Sequence, residues 1–298
     1  MFTGVLPALF TPFTGDDHVD IPALEKLIGY VLDRGVHGLY LLGSTGEGIS
    51  MTEEERRLVA EVSVKTVAHQ VPVIVHVGAT ATGACQRLAQ HAEQIGADAV
   101  ASVPPFYYSV GVQGVEDHYR LIASASRLPL YIYNIPGATG VNVGADMAHK
   151  LFTEGMIAGM KFTAPDTFAF RNIIEACGPT FNIISGPDEM LLSFLVMGGH
   201  GGIGTTYNAL PRVYAALYAA WQAGNIKRAQ ELQWFIDRYV VVLIRHGVMA
   251  GCKATMEFLG SPVGQPRRPF VPLTAEQKTK LRADLEAISL FEWASGEK

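Results

Sequence analysis

Ile157-Ala158-Gly159-Met160-Lys161-Phe162-Thr163 is a short apolar run with one lysine set inside it. Read as a β-strand, its side chains alternate, so Lys161 shares a face with Gly159 and Thr163 while Met160 and Phe162 point the other way. Gly159 leaves open space beside the lysine stem. A lysine so placed loses hydration, which disfavours the ammonium and lowers its pKa. The neutral amine is a nucleophile for carbonyl carbon, the chemistry of Schiff bases. The competing reading is a strand-end lysine that reaches water or pairs with an acid.

On both sides of this run the same pattern recurs, a brief apolar strand followed by a helical stretch. Val5 to Phe10 leads to a helix at 21–34, and Gly38 to Leu42 to one at 52–69, where Thr52 and Glu55 form a capping box. Val73 to Val77 leads to 82–94, Ala99 to Val103 to 115–126, and Leu130 to Asn134 to 145–152. The run holding Lys161 is the sixth strand and leads to 166–177. Phe181 to Ile184 precedes 189–197, and Gly202 to Gly204 precedes 210–223. Eight strand–helix pairs, with strands apolar on both faces, favour by count and length a parallel barrel, the (β/α)8 TIM form, over an open sheet. Beyond Gly224 come helices at 226–245, 248–259 and 274–290, the last after the proline-rich 261–272. The expected division is therefore a barrel over 1–223 and a helical extension over 224–298, packed on the barrel.

The 298 residues are 49% hydrophobic and 17% charged, enough for a large core. A net charge of −5 and the lack of a basic cluster argue against nucleic acid. Cys85, Cys177 and Cys252 are scattered, as in a cytoplasmic protein with reduced thiols. Met1 to Phe10 has no basic leader and is broken by Gly4 and Pro7, so it does not read as a signal peptide. The longest apolar run, Val240 to Ile244, is too short for a bilayer. No histidine spacing suggests a metal site.

Barrel chemistry gathers where strands end. Gly43-Ser44-Thr45-Gly46-Glu47-Gly48 follows the second strand, and its hydroxyls and N–H groups make a nest for a carboxylate or phosphate; a plain turn is the competing reading. Tyr133 ends the strand beside that of Lys161, within reach to carry a proton, or as an ordinary core phenol. Pro104-Pro105-Phe106-Tyr107-Tyr108 reads as a packed aromatic loop or an oligomer contact. Asp188 is expected to cap the next helix, or with Glu189 to accept hydrogen bonds from substrate hydroxyls. Gly199 to Gly204 matches G-x-G-x-x-G but overlaps a strand, so it reads as close packing, with Thr205 and Thr206 lining the mouth.

Together, Gly43-Ser44-Thr45-Gly46-Glu47, Tyr133-Asn134-Ile135-Pro136 and Gly159-Met160-Lys161-Phe162-Thr163 resemble the N-acetylneuraminate lyase and dihydrodipicolinate synthase family of class I aldolases. The likeness covers nearly the whole chain. It implies a homotetrameric barrel acting on 2-oxo acids without a cofactor, through a covalent imine on Lys161. It implies that Tyr133 relays protons and that Tyr107 completes the relay from a neighbouring subunit. Ser44, Thr45, Thr163, Gly186, Asp188, Glu189, Ile203 and Thr205 would surround the substrate. Details such as Ser44, Asp188-Glu189 and Gly202 to Asn208 are similar to the sialic-acid lyase branch. Ala138 stands where the lysine-pathway synthases carry an arginine, and Thr205 where the lyases commonly have serine. Alternatives are dihydrodipicolinate synthase, another sugar-acid aldolase, or a non-enzymatic ligand-binding barrel. A phosphate-binding isomerase is disfavoured because the loop before the eighth helix offers no cation.

Overall fold

The structure, a computed structural model, describes residues 1–297. Among these, eight parallel strands form one sheet: β1 (Gly4–Pro7), β2 (Leu39–Leu41), β3 (Val73–His76), β4 (Ala99–Ser102), β5 (Leu130–Asn134), β6 (Gly159–Phe162), β7 (Asn182–Ser185) and β8 (Gly201–Gly204). Each strand from β2 to β8 pairs with the next, and β1 pairs with β8. The ring is completed where Ala8 bridges Tyr40 and the Leu9 N–H donates to the Tyr40 carbonyl at 2.8 Å. This is a TIM barrel. Around it run α1 (Ile21–Leu32), α2 (Glu53–Val67), α3 (Thr82–Gln94), α4 (Gly111–Ala125), the short α5 (Pro136–Thr139), α6 (Ala145–Thr153), α7 (Thr167–Cys177), α8 (Leu191–Val196) and α9 (Pro211–Gln222).

Period-2 alternation sorts the strands onto two cores. Leu6, Tyr40, Ile74, Ala101, Tyr131, Tyr133 and Ile184 fill the barrel interior. Their neighbours, such as Val5, Leu39, Leu41, Met160 and Phe162, face the helices. The expected split of Lys161 from Met160 and Phe162 is therefore observed. The expected space beside Gly159 is not. A Cβ there would collide with the Asn182 carbonyl and the Tyr131 ring, so the glycine admits close packing below the lysine. The same holds along β8, where a Cβ on Gly201 would strike the Gly4 backbone and one on Gly202 the Tyr207 hydroxyl. That confirms the glycine run as a close-packed strand.

Helix starts follow local chemistry. Thr52 and Glu55 make the capping box of α2, and Asp166 caps α7 by accepting from the Ala169 N–H at 2.8 Å. Beyond the turn at Ala223–Asn225 come α10 (Ile226–His246), α11 (Val248–Phe258), α12 (Ala275–Ala287) and α13 (Leu290–Ser295). Phe235, Ile236, Tyr239, Leu281, Leu285 and Leu290 join the outer core, which is how the extension packs on the barrel. The single last helix expected over 274–290 is two. Ser289 adopts a left-handed backbone (φ 58) that breaks α12 and lets the buried Leu290 start α13. The stretch expected as one helix at 189–197 opens with a 3-10 turn, Asp188–Met190, before α8.

Candidate active site

Lys161 points into the barrel and is 5% exposed. Parallel pairing sets it opposite Tyr133 of β5. Its Nζ lies 4.1 Å from the centre of the Tyr133 ring and 4.7 Å from that of Tyr40. Among the described residues, lysine ion pairs are made by Lys150, Lys253, Lys278 and Lys280. Lys161 makes none, so the reading of an acid-paired or water-reaching lysine fails. What holds the amine is two aromatic faces, whose quadrupoles attract a cation by about 0.5–2 kcal/mol each.

The Tyr133 hydroxyl lies 3.3 Å from the Ser44 Oγ, joining the lysine to the loop after β2. The rings of Tyr40 and His76 stand edge-on to Tyr133 at 5.9 and 5.7 Å. Burial, reinforced by the Arg56 charge, drives His76 down to about 3, so the ring is neutral. Its Nδ1 donates to the Leu42 carbonyl at 3.1 Å, and its Nε2 accepts from the Val103 N–H at 3.4 Å. His76 therefore braces the end of β2 and does not carry protons. The Tyr40 hydroxyl is buried without a hydrogen-bond partner among the described residues.

The loop after β2 is folded tightly. Leu42 and Glu47 both have left-handed backbones, with φ of 61 and 55. Ser44 is exposed at its tip, while Thr45 is buried with its Oγ1 2.7 Å from the Thr205 Oγ1. A cleft of about 490 Å³ opens over Ser44, Thr45 and Thr205, and its far wall is His246–Ala250 with Phe270 and Val271. A larger cleft, of about 920 Å³ between Phe13–Asp17 and Gly264–Pro272, includes none of the lysine-site residues.

Across the mouth, the Thr163 Oγ1 is buried without a partner among the described residues and fills the place a Gly186 side chain would need. Ile203 is buried in the inner core. Glu189 is exposed. Asp188 does not cap its own helix. It is buried, and its Oδ2 accepts from both the N–H and the Oγ1 of Thr206, each at 2.7 Å. Thr206 in turn accepts from the Tyr214 hydroxyl at 2.6 Å and is itself buried, so it braces the end of β8 instead of lining the mouth. Tyr107 is 78% exposed with its ring edge-on to Tyr108, so the packed-loop reading fails for this pair.

Burial raises the Asp188 carboxyl to about 6 against the hydrogen bonds from Thr206. At about pH 5 the folded chain keeps this proton where the unfolded chain, near 3.8, has lost it. Raising the pH from about 4 to 7 therefore removes on the order of 3 kcal/mol of stability at this position. Wild type minus Asp188→Asn, measured by denaturant unfolding, should fall across that window and level off above it. A flat difference would show that the hydrogen bonds offset burial, and a rising one that they outweigh it.

Strand pairing thus gathers Lys161, Tyr133, Ser44, Thr45 and Thr205 at one end of the barrel. Sequence reasoning missed Tyr40 and His76, which look like ordinary core residues until the ring closes. It also missed the cleft wall from the extension, which no spacing signals.

Fold and site define a TIM barrel with a lysine-centred mouth. The chain belongs to the dihydrodipicolinate synthetase family, whose model matches residues 1–288. It is 36% identical to the N-acetylneuraminate lyase of Citrobacter koseri over 283 residues, covering 94% of this chain and 95% of that protein. The Ruminococcus gnavus sialic acid aldolase superposes with a TM-score of 0.93 at 28% identity, over 99% of both chains. A prophage protein of the dihydrodipicolinic acid synthase family from E. coli K12, solved with pyruvate, gives 0.93 at 29% identity, over 97% of this chain and 99% of that one. Among the described residues no helix is long and apolar enough to cross a membrane, and no group of three or more His, Cys, Asp or Glu could hold a metal.

Proposed function

We propose that this chain is a Schiff-base aldolase that cleaves N-acetylneuraminate reversibly to N-acetylmannosamine and pyruvate. The observation that carries this reading is a buried lysine with no acidic partner, flanked by a phenol hydrogen-bonded to a hydroxyl loop. The Lys161 amine adds to the keto carbon of the 2-oxo acid and water leaves, forming an imine. Once protonated, the imine draws electrons from the C3–C4 bond. Tyr133 takes the proton of the C4 hydroxyl as that bond breaks and the aldehyde departs. The remaining enamine gains a proton at C3, and water releases pyruvate and the free amine.

Ser44, Thr45 and the N–H groups of their turn hold the carboxylate. Glu189, Thr163 and Thr205 meet the polyhydroxylated chain, with Asp188 contributing through its remaining oxygen, beside Gly186 and Ile203. Tyr107 completes the proton relay of a neighbouring subunit in a homotetramer. The compartment that fits three free cysteines is the cytoplasm. No cofactor beyond the covalent imine is required.

The alternative is dihydrodipicolinate synthase, after which the family is named. A carboxylate-bearing aldehyde needs a cation to offset its desolvation, and Ala138 supplies none. Pyruvate release from a panel of 2-oxo sugar acids, set against condensation of aspartate semialdehyde with pyruvate, decides between them. N-Acetylneuraminate should lead by about 100-fold or more in kcat/KM. The reverse ranking would move the protein to the synthase branch. Poor turnover of both substrates, with imine formation intact, would point to a different 2-keto-3-deoxy sugar acid.

A further inference from the structure

Ser44 and Thr45 sit between two strained residues. Leu42 and Glu47 are non-glycine positions in the left-handed region, which persist only where the surroundings over-determine them. Leu42 is held by His76. Glu47 is held from a distant part of the chain. Its side chain is fully buried, with Oε1 2.6 Å from the Lys253 Nζ of α11 and Oε2 accepting from the Arg267 N–H at 2.7 Å. The Lys253 ammonium, ion-paired with Glu47, donates to the carbonyls of Thr11 at 3.0 Å and Gln265 at 3.2 Å. Thr11 reaches back to the loop, donating from Oγ1 to the Gly46 carbonyl at 2.7 Å. Arg267 grips the other side, donating to both oxygens of Glu55 at 2.8 Å while its guanidinium lies 4.2 Å over the Phe13 ring.

The loop transmits this grip inward. The Glu47 N–H donates to the Ser44 carbonyl at 3.1 Å and the Gly48 N–H to the Gly43 carbonyl at 3.2 Å. A Cβ on Gly48 would collide with the Leu42 carbonyl, so the turn has no room to re-form elsewhere. A displacement of the Glu47 backbone is therefore passed to Ser44, whose carbonyl accepts from the Glu47 N–H.

We propose that Lys253 and Arg267 of the C-terminal extension are positioning residues for the hydroxyl loop, acting through Glu47 to fix the geometry that receives the substrate carboxylate. This rests on the aldolase reading. It makes the extension part of the binding site, although neither residue touches substrate.

The test uses Lys253→Met and the double variant Glu47→Gln/Lys253→Met, which leaves no unpaired buried charge and so guards against simple unfolding. Two quantities are read on the full chain, with folding checked by circular dichroism. Amide hydrogen exchange at Glu47 and Gly48, without ligand, should rise about tenfold or more while the strand amides stay protected. The pyruvate concentration for half-maximal borohydride trapping should rise about tenfold, with the limiting rate at saturation little changed. A pair that merely held the fold would lower melting temperature and active fraction without moving half-saturation. Unchanged loop exchange in a folded variant would overturn the positioning role. Faster loop exchange with unchanged half-saturation would overturn its link to binding. If pyruvate fails to trap even the wild type, the aldolase reading falls, and with it the link to carboxylate binding, while loop exchange still reports whether the extension holds the loop.

Discussion

Lys161→Arg is expected to abolish borohydride trapping of pyruvate and to cut sugar-acid cleavage by at least about 10³-fold, since the whole covalent route is lost. The guanidinium remains charged and offers no free amine. It should nonetheless be housed, because its planar face can stack on the Tyr133 and Tyr40 rings that now flank the Nζ at 4.1 and 4.7 Å. Circular dichroism and the melting curve should therefore stay near wild type. The complementary measurement is a mass map of the wild-type adduct after digestion, which should place the label on Lys161. A label on another lysine, or retained cleavage in the arginine variant, would remove Lys161 from the mechanism.

The second large effect belongs to Tyr133. Tyr133→Phe keeps the ring beside the amine and deletes only the hydroxyl that sits 3.3 Å from Ser44. Cleavage should fall by about 10²–10⁴-fold, the range for losing a positioned proton carrier. Trapping with pyruvate should persist more slowly, since Nζ keeps its place. Loss confined to KM would instead mean that the phenol only orders the loop. Cleavage within about threefold of wild type would send the search for the proton carrier elsewhere.

Much of this arrangement could be read in advance because it depends on short-range periodicity. Alternation along β6 separates Lys161 from Met160 and Phe162 without knowledge of the rest of the barrel. Adjacent strands in a βα repeat are neighbours, so Tyr133 falls beside Lys161 from strand order alone. The capping box at Thr52 and Glu55 is equally local. What stayed hidden depends on long separations. Asp188 finds Thr206 eighteen residues away on the next loop, so its destination cannot be read from the turn it occupies. Arg267 meets Glu47 across 220 residues. The break between α12 and α13 turns on Ser289, which carries none of the glycine or proline punctuation that usually marks a helix end.

The pairing of β1 with β8, Gly4 against Gly201 through Pro7 against Gly204, bears on how the chain is made. Of the eight strands, β1 leaves the ribosome first. Ala8 and Leu9 meet Tyr40 early, but its β8 side is paired only after nearly the whole barrel has been translated, roughly 10–40 s later at about 5–20 residues per second. Until then β1 and the growing edge of the sheet each present unpaired backbone groups, the template for misassociation. Nascent chains halted before Gly201 should therefore engage holding chaperones, and those extended past Gly204 should be released from them.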